Sequence, residues 1–196
     1  MCKNRNLRSV FITNHTILAN FEATKNRNKM KKFKIEFKWA VIMSIIFLAW
    51  MTLEKQLGFH DEKIKWQIAF TMLIILPNFL LYYLALSDKK KNYYNGVMNW
   101  RQGFISGVVL SFIVVFFSPI TQFITHEFIS PNYFDKLIAY SVESKKLTLE
   151  DAQNYFNLTA YIWQSISGGL SFGVIIGAII AYILKPKEQV STNKSK

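Results

Sequence analysis

Four long runs of apolar residues dominate the hydrophobic pattern of the chain, and polar segments separate them. Three of these runs contain no charged residue over 21, 24 and 33 positions, and they occupy residues 66–86, 102–125 and 152–184. Because a helix needs about 20 apolar residues to cross the hydrocarbon core of a bilayer, each of the three is long enough to span it. The last run is strongly apolar only from near Ile162, so we predict membrane helices over 66–86, 102–125 and 161–184.

The remaining run, at the start of this pattern, is shorter. Trp39–Leu53 contains 15 uncharged residues, which at about 1.5 Å per residue is too short for a ~30 Å core. Apolar residues interleaved with lysines precede it, and lysine side chains can reach the interface with their charged ends, so we predict a helix over about 35–57. A cleaved signal peptide is the alternative, but Glu54-Lys55-Gln56 follows the run where small residues would mark a cleavage site.

The segment between the third and fourth runs predicts two short helices. Ser130-Pro131 ends the third helix, and apolar residues at helical spacing follow it. Thr148 and Asp151 then resemble a capping box with Asp in place of Glu, which starts a second helix. We therefore expect a helical hairpin over 132–160 on the outer membrane surface, with a lid over a binding site as the alternative. The fold class predicted is an all-α integral membrane protein with four transmembrane helices in a bundle.

The two ends of the chain differ from this membrane domain, which we place at residues 30–187. Residues 1–29 are polar and basic, and we expect a disordered extension there. Met30 begins a segment typical of the start of a membrane protein, so residues 1–29 are, by hypothesis, an over-extended start. A short interfacial helix over 9–21 is the alternative. Residues 188–196 predict a disordered cytoplasmic tail.

The charges of the polar segments predict the orientation of the chain. The net charge is +12, and segments 1–38, 87–101 and 185–196 together carry +14, whereas 54–65 and 126–151 carry −2. By the positive-inside rule both termini and the 87–101 loop are cytoplasmic. The basic residues are divided among segments that flank membrane helices, which argues against a nucleic acid as a partner. A single cysteine, Cys2, excludes an internal disulfide.

Small residues recur every four positions in the last two predicted membrane helices. Such a spacing makes one face on which helix backbones can approach closely in lipid. The face packs two helices of one chain, or it binds a second copy or a partner membrane protein, and both interpretations stay open here. The residues concerned are Gly103, Gly107 and Ser111 in the third helix, and Ser165, Gly169, Gly173, Gly177 and Ala181 in the fourth.

A few polar residues within the membrane segments indicate an alternative function as a small transporter or channel. Transport pathways are lined by polar groups at helix irregularities. Ionisable residues are missing from the cores of the last three predicted helices, which weakens this alternative. The candidates for a polar or kinked pathway are Pro77, Asn78, Pro119, Gln122 and Gln164.

Enzymatic chemistry has little support in the sequence. Gly169-Leu-Ser171-Phe-Gly173 matches the G-x-S-x-G pattern of serine hydrolases, but a continuous apolar helix replaces the strand that the nucleophile requires. We therefore expect no catalytic residue and no cofactor. A metal-dependent membrane enzyme is a third and weaker hypothesis, and its candidate ligands are His60, Asp61, Glu62, His126 and Glu127.

Several segments resemble a bacterial membrane family known as domain-of-unknown-function family 4199. They are KFKIEFKWA, EKQLGFHDE, NGVMNWRQGFISG, SPNYF and EDAQNYFNL, together with the glycine spacing of the last helix. The resemblance covers 30–187 and implies a four-helix protein of the inner membrane of Gram-negative bacteria, without an activity or site residues. From all of this we expect a non-enzymatic membrane protein that acts through helix packing, by self-association or as an accessory subunit. Its partners would be the lipid bilayer and another copy or another membrane protein.

Overall fold

The computed structural model describes residues 33–186, and this part of the chain is built from helices without a β-strand. Its long helices are four, each apolar enough to cross a membrane: α1 (Phe33–Gln56), α2 (Ile64–Asn92), α3 (Trp100–Ile129) and α6 (Leu158–Leu184). Two short helices lie between α3 and α6: α4 (Tyr133–Glu143) and α5 (Leu149–Tyr155). The predicted fold class is confirmed. The expected extension 1–29 and tail 188–196 lie outside the described residues.

Three of the long helices, α1, α2 and α3, extend beyond the uncharged runs from which they were predicted. We predicted a span over 66–86, whereas α2 continues to Asn92 through three lysines. Charge marks where a helix leaves the hydrocarbon, but backbone hydrogen bonds continue the helix into the polar region. At the end of α3 the helix widens into a π-helical turn over Thr125–Ile129, and the Ser130 N–H donates to the Thr125 carbonyl at 2.8 Å.

α2 is irregular in its first half. A 3-10 turn over Ile64–Trp66 opens it, and a second one over Met72–Ile74 interrupts it. Pro77 follows the second turn, and a proline lacks the N–H that would donate to the carbonyl four residues earlier. The tighter turn therefore lies where the regular hydrogen-bond pattern is broken. α3, in contrast, continues through Pro119 without a break.

Polar side chains cap three of the helices. Asn99 and Gln102 form a complete capping box at the start of α3, which was not predicted from the sequence. Thr148 accepts from the Asp151 N–H at 3.1 Å, but the Asp151 carboxylate accepts from the Thr148 hydroxyl. The capping box predicted at α5 is therefore half formed. Asn157 caps α6 by accepting from the Ala160 N–H at 2.9 Å.

The core lies along the contact of α3 and α6, with α1 and α2 packed against it. Leu110 and Ile180 are fully buried in this core, whereas Phe116 and Leu76 are 75% and 71% exposed. In the most apolar windows of the four long helices only 17–33% of the residues are buried. Since apolar side chains on this scale face outward, the surface of the bundle fits a lipid environment.

We name the two ends of the bundle by a buried residue at each. At the Lys89 end, the Lys89 ammonium lies 2.8 Å from the Glu36 carboxylate, and both side chains are almost completely buried. Asp88 accepts a hydrogen bond of 2.7 Å from Trp39 Nε1 next to this pair. Lys90 donates to a backbone carbonyl at the end of α6. These contacts join α1, α2 and α6. The opposite end, where α1 ends and α4 and α5 lie, is the Glu54 end.

Candidate functional site

The predicted small-residue face lies where α3 and α6 pack against each other. A Cβ atom on Gly107 would come within 2.9 Å of the Gly177 Cα atom, so the two backbones touch with no side chain between them. Gly103 faces Ala181 in the same way, since a Cβ atom on Gly103 would come within 2.9 Å of the Ala181 Cβ atom. Both helices belong to one chain. The small-residue face of α6 is therefore occupied by α3 of the same chain, and its packing does not require a second chain.

The same face joins a third helix at Gly173. A Cβ atom on Gly173 would lie 2.8 Å from the Ser111 Cβ atom, and the hydroxyl of Tyr82 from α2 lies against the same point. The Tyr82 and Ser111 hydroxyls are 2.9 Å apart, and Ser111 donates to the Gly107 carbonyl. Near the Glu54 end, Gly169 faces Val115. Small residues thus create a junction of α2, α3 and α6.

A cavity of about 680 Å³ lies between α2, α4, α5 and α6 at the Glu54 end. Its lining is mostly apolar, with contributions such as Ile68 and Met72 from α2, Leu137 from α4 and Phe172 from α6. Hydroxyl and amide side chains interrupt the apolar walls, and the lining contains no Asp or Glu. Ligand sites commonly have this size and this mixture of apolar walls and few polar groups.

Two of the five residues predicted for a polar pathway meet in this cavity. Asn78 of α2 and Gln164 of α6 both line it. Pro77 lies beside Asn78 outside the lining, and Pro119 lies on α3, away from the cavity. Gln122 is buried and donates a hydrogen bond to Ser165, so it joins α3 to α6.

A cluster of buried polar side chains lies beside the cavity, and Glu54 is its centre. The Glu54 carboxylate is completely buried and accepts hydrogen bonds from Trp50 Nε1 at 2.5 Å and from the Thr71 hydroxyl at 2.9 Å. His60 Nε2 lies 3.3 Å from the same carboxylate. Gln67 donates to the Thr71 hydroxyl at 2.9 Å. Several donors therefore compensate for the loss of water around a buried carboxylate.

Tyr133 connects this cluster to a second histidine. Its ring centroid lies 4.8 Å from that of His60 and 5.2 Å from that of His126. His126 is buried, stacks on Phe134 and has Nε2 3.1 Å from the Gln122 side-chain oxygen. Burial raises the pKa of the Tyr133 phenol, so this hydroxyl stays neutral and available as a donor.

Four side chains belong to both the polar cluster and the cavity wall: Gln67, Thr71, Tyr133 and Tyr161. None of them was predicted from the sequence, because each is ordinary for its own segment. Each is a polar side chain within an otherwise apolar helix face. This pattern does not predict a site, because it does not show which of the helices lie side by side. Glu54 was likewise read as the polar boundary of the first run, whereas the structure buries it.

The candidate metal ligands do not converge on one point. Within residues 33–186 no group of three or more His, Cys, Asp and Glu side chains has a geometry that could hold a metal ion. Asp61 forms an ion pair with Lys136 of α4, and the hydrogen bond from Lys136 lowers the pKa of the Asp61 carboxyl. Glu62 and Glu127 are exposed.

Ser171, the centre of the G-x-S-x-G match, lies in the middle of α6. Its hydroxyl donates to the Ser167 carbonyl one turn earlier at 2.8 Å. A nucleophilic serine of this motif would lie on a turn between a strand and a helix. The local geometry is that of a serine in a membrane helix.

Four long apolar helices, each with at most a third of its apolar window buried, define a multi-pass membrane protein. Comparison with family models then places residues 38–186 in the family described as "Protein of unknown function (DUF4199)". The match covers most of the chain, so this protein belongs to that family. Neither a curated protein nor a solved structure matches the chain.

Proposed function

We propose that this protein is a non-enzymatic membrane protein that binds an amphiphile in the cavity at the Glu54 end. The cavity carries the proposal, because it combines about 680 Å³ of space with mostly apolar walls. Glu54, His60 and His126 do not line it, so the carboxylate and the imidazoles of the buried cluster are separated from a ligand. Hydroxyl and amide side chains of the lining would contact the ligand, and two lysines, Lys65 and Lys146, line the cavity as well.

The orientation follows the positive-inside rule, with the Lys89 end in the cytoplasm and the Glu54 end outside. The segments assigned to the cytoplasm carry nearly all of the net positive charge. The bacterial inner membrane is the location that the sequence resemblance implies. Under this orientation the cavity opens near the outer leaflet, which is a source of amphiphiles.

The small-residue face gives little support to self-association, because α3 occupies this face of α6. Assembly with a second copy or a partner protein would use another surface, such as the apolar side of α3 that includes Phe116. Native mass measurement of protein extracted in mild detergent tests such assembly.

A photoreactive acyl probe tests the proposed binding. We expect a neutral fatty alcohol with a diazirine on its chain to label cavity residues such as Ile68 and Phe172 in the membrane. Gly168 lines the cavity and has no neighbouring atom within 4 Å of an added Cβ, so Gly168→Phe fills the space. Ser171→Phe is the matched control, since Ser171 is exposed on the same helix outside the lining.

Labelling of the cavity residues should fall in Gly168→Phe and stay unchanged in Ser171→Phe. Labelling spread evenly over outward residues such as Phe116, with no enrichment in the cavity, would contradict the proposal.

A small transporter is the second candidate, because Asn78, in the middle of α2, and Gln164, in the first two turns of α6, line the same cavity. Transport requires passage to the Lys89 end, whereas binding does not. Proteoliposomes loaded with a labelled amphiphile separate the two functions: movement between leaflets that falls in Asn78→Leu supports transport, and saturable binding without movement supports binding alone.

A further inference from the structure

The charged residues that line the cavity are both lysines. Lys65 lies in the first turn of α2, and Lys146 lies in the connection between α4 and α5. Both side chains are exposed, and within residues 33–186 neither forms a salt bridge with a carboxylate. Lys146 is oriented by Tyr140, since its ammonium lies 4.8 Å above the ring and donates to the hydroxyl at 3.3 Å. The charged groups that line the cavity are therefore positive, and no Asp or Glu lines it beside them.

The rest of the lining is long, mostly apolar and uncharged. Along α2 it extends from Lys65 to Asn78, which is about 20 Å at 1.5 Å per residue. Along α6 it extends from Tyr161 to Ile176, a similar length. A site with a positive group at one end and an apolar wall along its length matches a molecule with an acidic group and an alkyl chain.

We propose that the cavity binds an anionic amphiphile, with one acyl chain between α2 and α6 and its carboxylate or phosphate at Lys65 and Lys146. This inference rests on the proposed function and specifies the ligand class. The hydroxyls of Tyr140 and Tyr155, which also line the cavity, add neutral donors for the acidic oxygens. The bound amphiphile is either a free fatty acid or a phospholipid, since both combine an acidic group with an acyl chain.

Charge selectivity in the purified full chain tests the inference. We would measure binding of spin-labelled stearate and of its methyl ester to delipidated protein in a neutral detergent. The test variant is Lys65→Gln/Lys146→Gln. The matched control is Lys63→Gln/Lys145→Gln, which removes the same charge from exposed neighbours outside the lining.

We expect stearate to bind the test variant about tenfold more weakly, since a hydrogen bond to a charged group contributes roughly that factor. Stearate should bind the control variant within about twofold of the unaltered protein, because both lining lysines are still present. The ester should bind all three proteins within about twofold of each other, because it has no charge for the lysines to contact. A spin-labelled lysophosphatidate and a two-chain phosphatidylglycerol, measured in parallel, distinguish the sources.

Two results would overturn the inference in different ways. Equal affinities of stearate and ester in the unaltered protein, or equal stearate affinities in the test and control variants, would show that the site binds chains without reading their charge. That outcome leaves the proposed function intact. Binding of both probes that Gly168→Phe does not reduce would refute the proposed function itself, and the inference with it.

Discussion

Replacement of Gly107 by alanine should push α3 and α6 slightly apart at their closest contact. The added methyl group would meet backbone atoms of Gly177 and not a movable side chain. Its Cβ would lie 2.9 Å from the Gly177 Cα atom and 3.4 Å from the Gly177 carbonyl carbon. Neither atom can turn aside, so the two helices must move apart by several tenths of an ångström at this point.

The cost is set by the contacts that loosen around the new methyl group. A radial gap of about 0.5–1 Å removes a quarter to a half of the dispersion energy of each facing atom pair, and overpacking of this kind costs about 1–3 kcal/mol. Alanine also favours a helix over glycine by roughly 0.5–1 kcal/mol, which would hide part of this cost. Gly168→Ala measures this helix preference alone, because no atom lies within 4 Å of a Cβ on Gly168. Subtracting its effect from that of Gly107→Ala leaves the cost of overpacking.

Unfolding of both variants in the same detergent measures the difference. We expect Gly107→Ala to be less stable than Gly168→Ala by about 1–3 kcal/mol, or by roughly 2–4 °C in Tm for each kcal/mol in a chain of this size. Equal stabilities of the two alanine variants would refute the close backbone contact and with it the role of the small-residue face within the chain.

Three further predictions concern charges at the two ends of the bundle. Glu36→Met should destabilise the protein by about 3–5 kcal/mol because it removes the carboxylate from a buried pair, and Glu36→Met/Lys89→Met should recover most of this in unfolding measurements. The lowered pKa of Asp61 means that its ion pair with Lys136 stabilises α4 above the carboxyl's ordinary pKa, and that this stabilisation is lost as the pH falls through the lowered value. Hydrogen exchange of α4, corrected for intrinsic rates, should therefore rise only in acid, and Lys136→Met should remove this dependence. A topology reporter at the C-terminus should read as cytoplasmic and one inserted near Ser144 as periplasmic, and the reverse pattern would invert every loop assignment.

The membrane helices could be predicted from sequence because their signal is local. A bilayer requires about 20 apolar residues and no unpaired backbone polar groups, so each span is visible within its own segment. The ends of α2 were predicted less well, since Lys89 and its neighbours continue the helix after the apolar run has stopped. The small-residue spacing was also visible, but only the structure shows that Gly107 and Gly177 face each other.

The cavity and the polar cluster could not be predicted, because both depend on how distant segments meet. Lys65, Leu137 and Gln164 line one space although about a hundred residues separate the first from the last. Glu54 follows an apolar run and would be expected at the water interface, yet Trp50 and Thr71 supply donors that allow it to be buried. These partners come from α1 and α2 together, and no pattern within either helix identifies them.

The close contact of α6 with α3 and the cavity beside α6 both involve the glycines of this helix. Gly169, Gly173 and Gly177 point toward α3 and α2, where their missing side chains let the backbones meet. Gly168 is one position away, about 100° around the helix at 3.6 residues per turn, and it borders empty space in the cavity lining. Small residues on the first face draw α6 toward the core, and a small residue on the second face leaves the space beside α4 open. An extended apolar space along α6 is what an acyl chain requires, and Gly169, which faces Val115 of α3, lines this space too, so a glycine that packs the bundle also borders the proposed binding site.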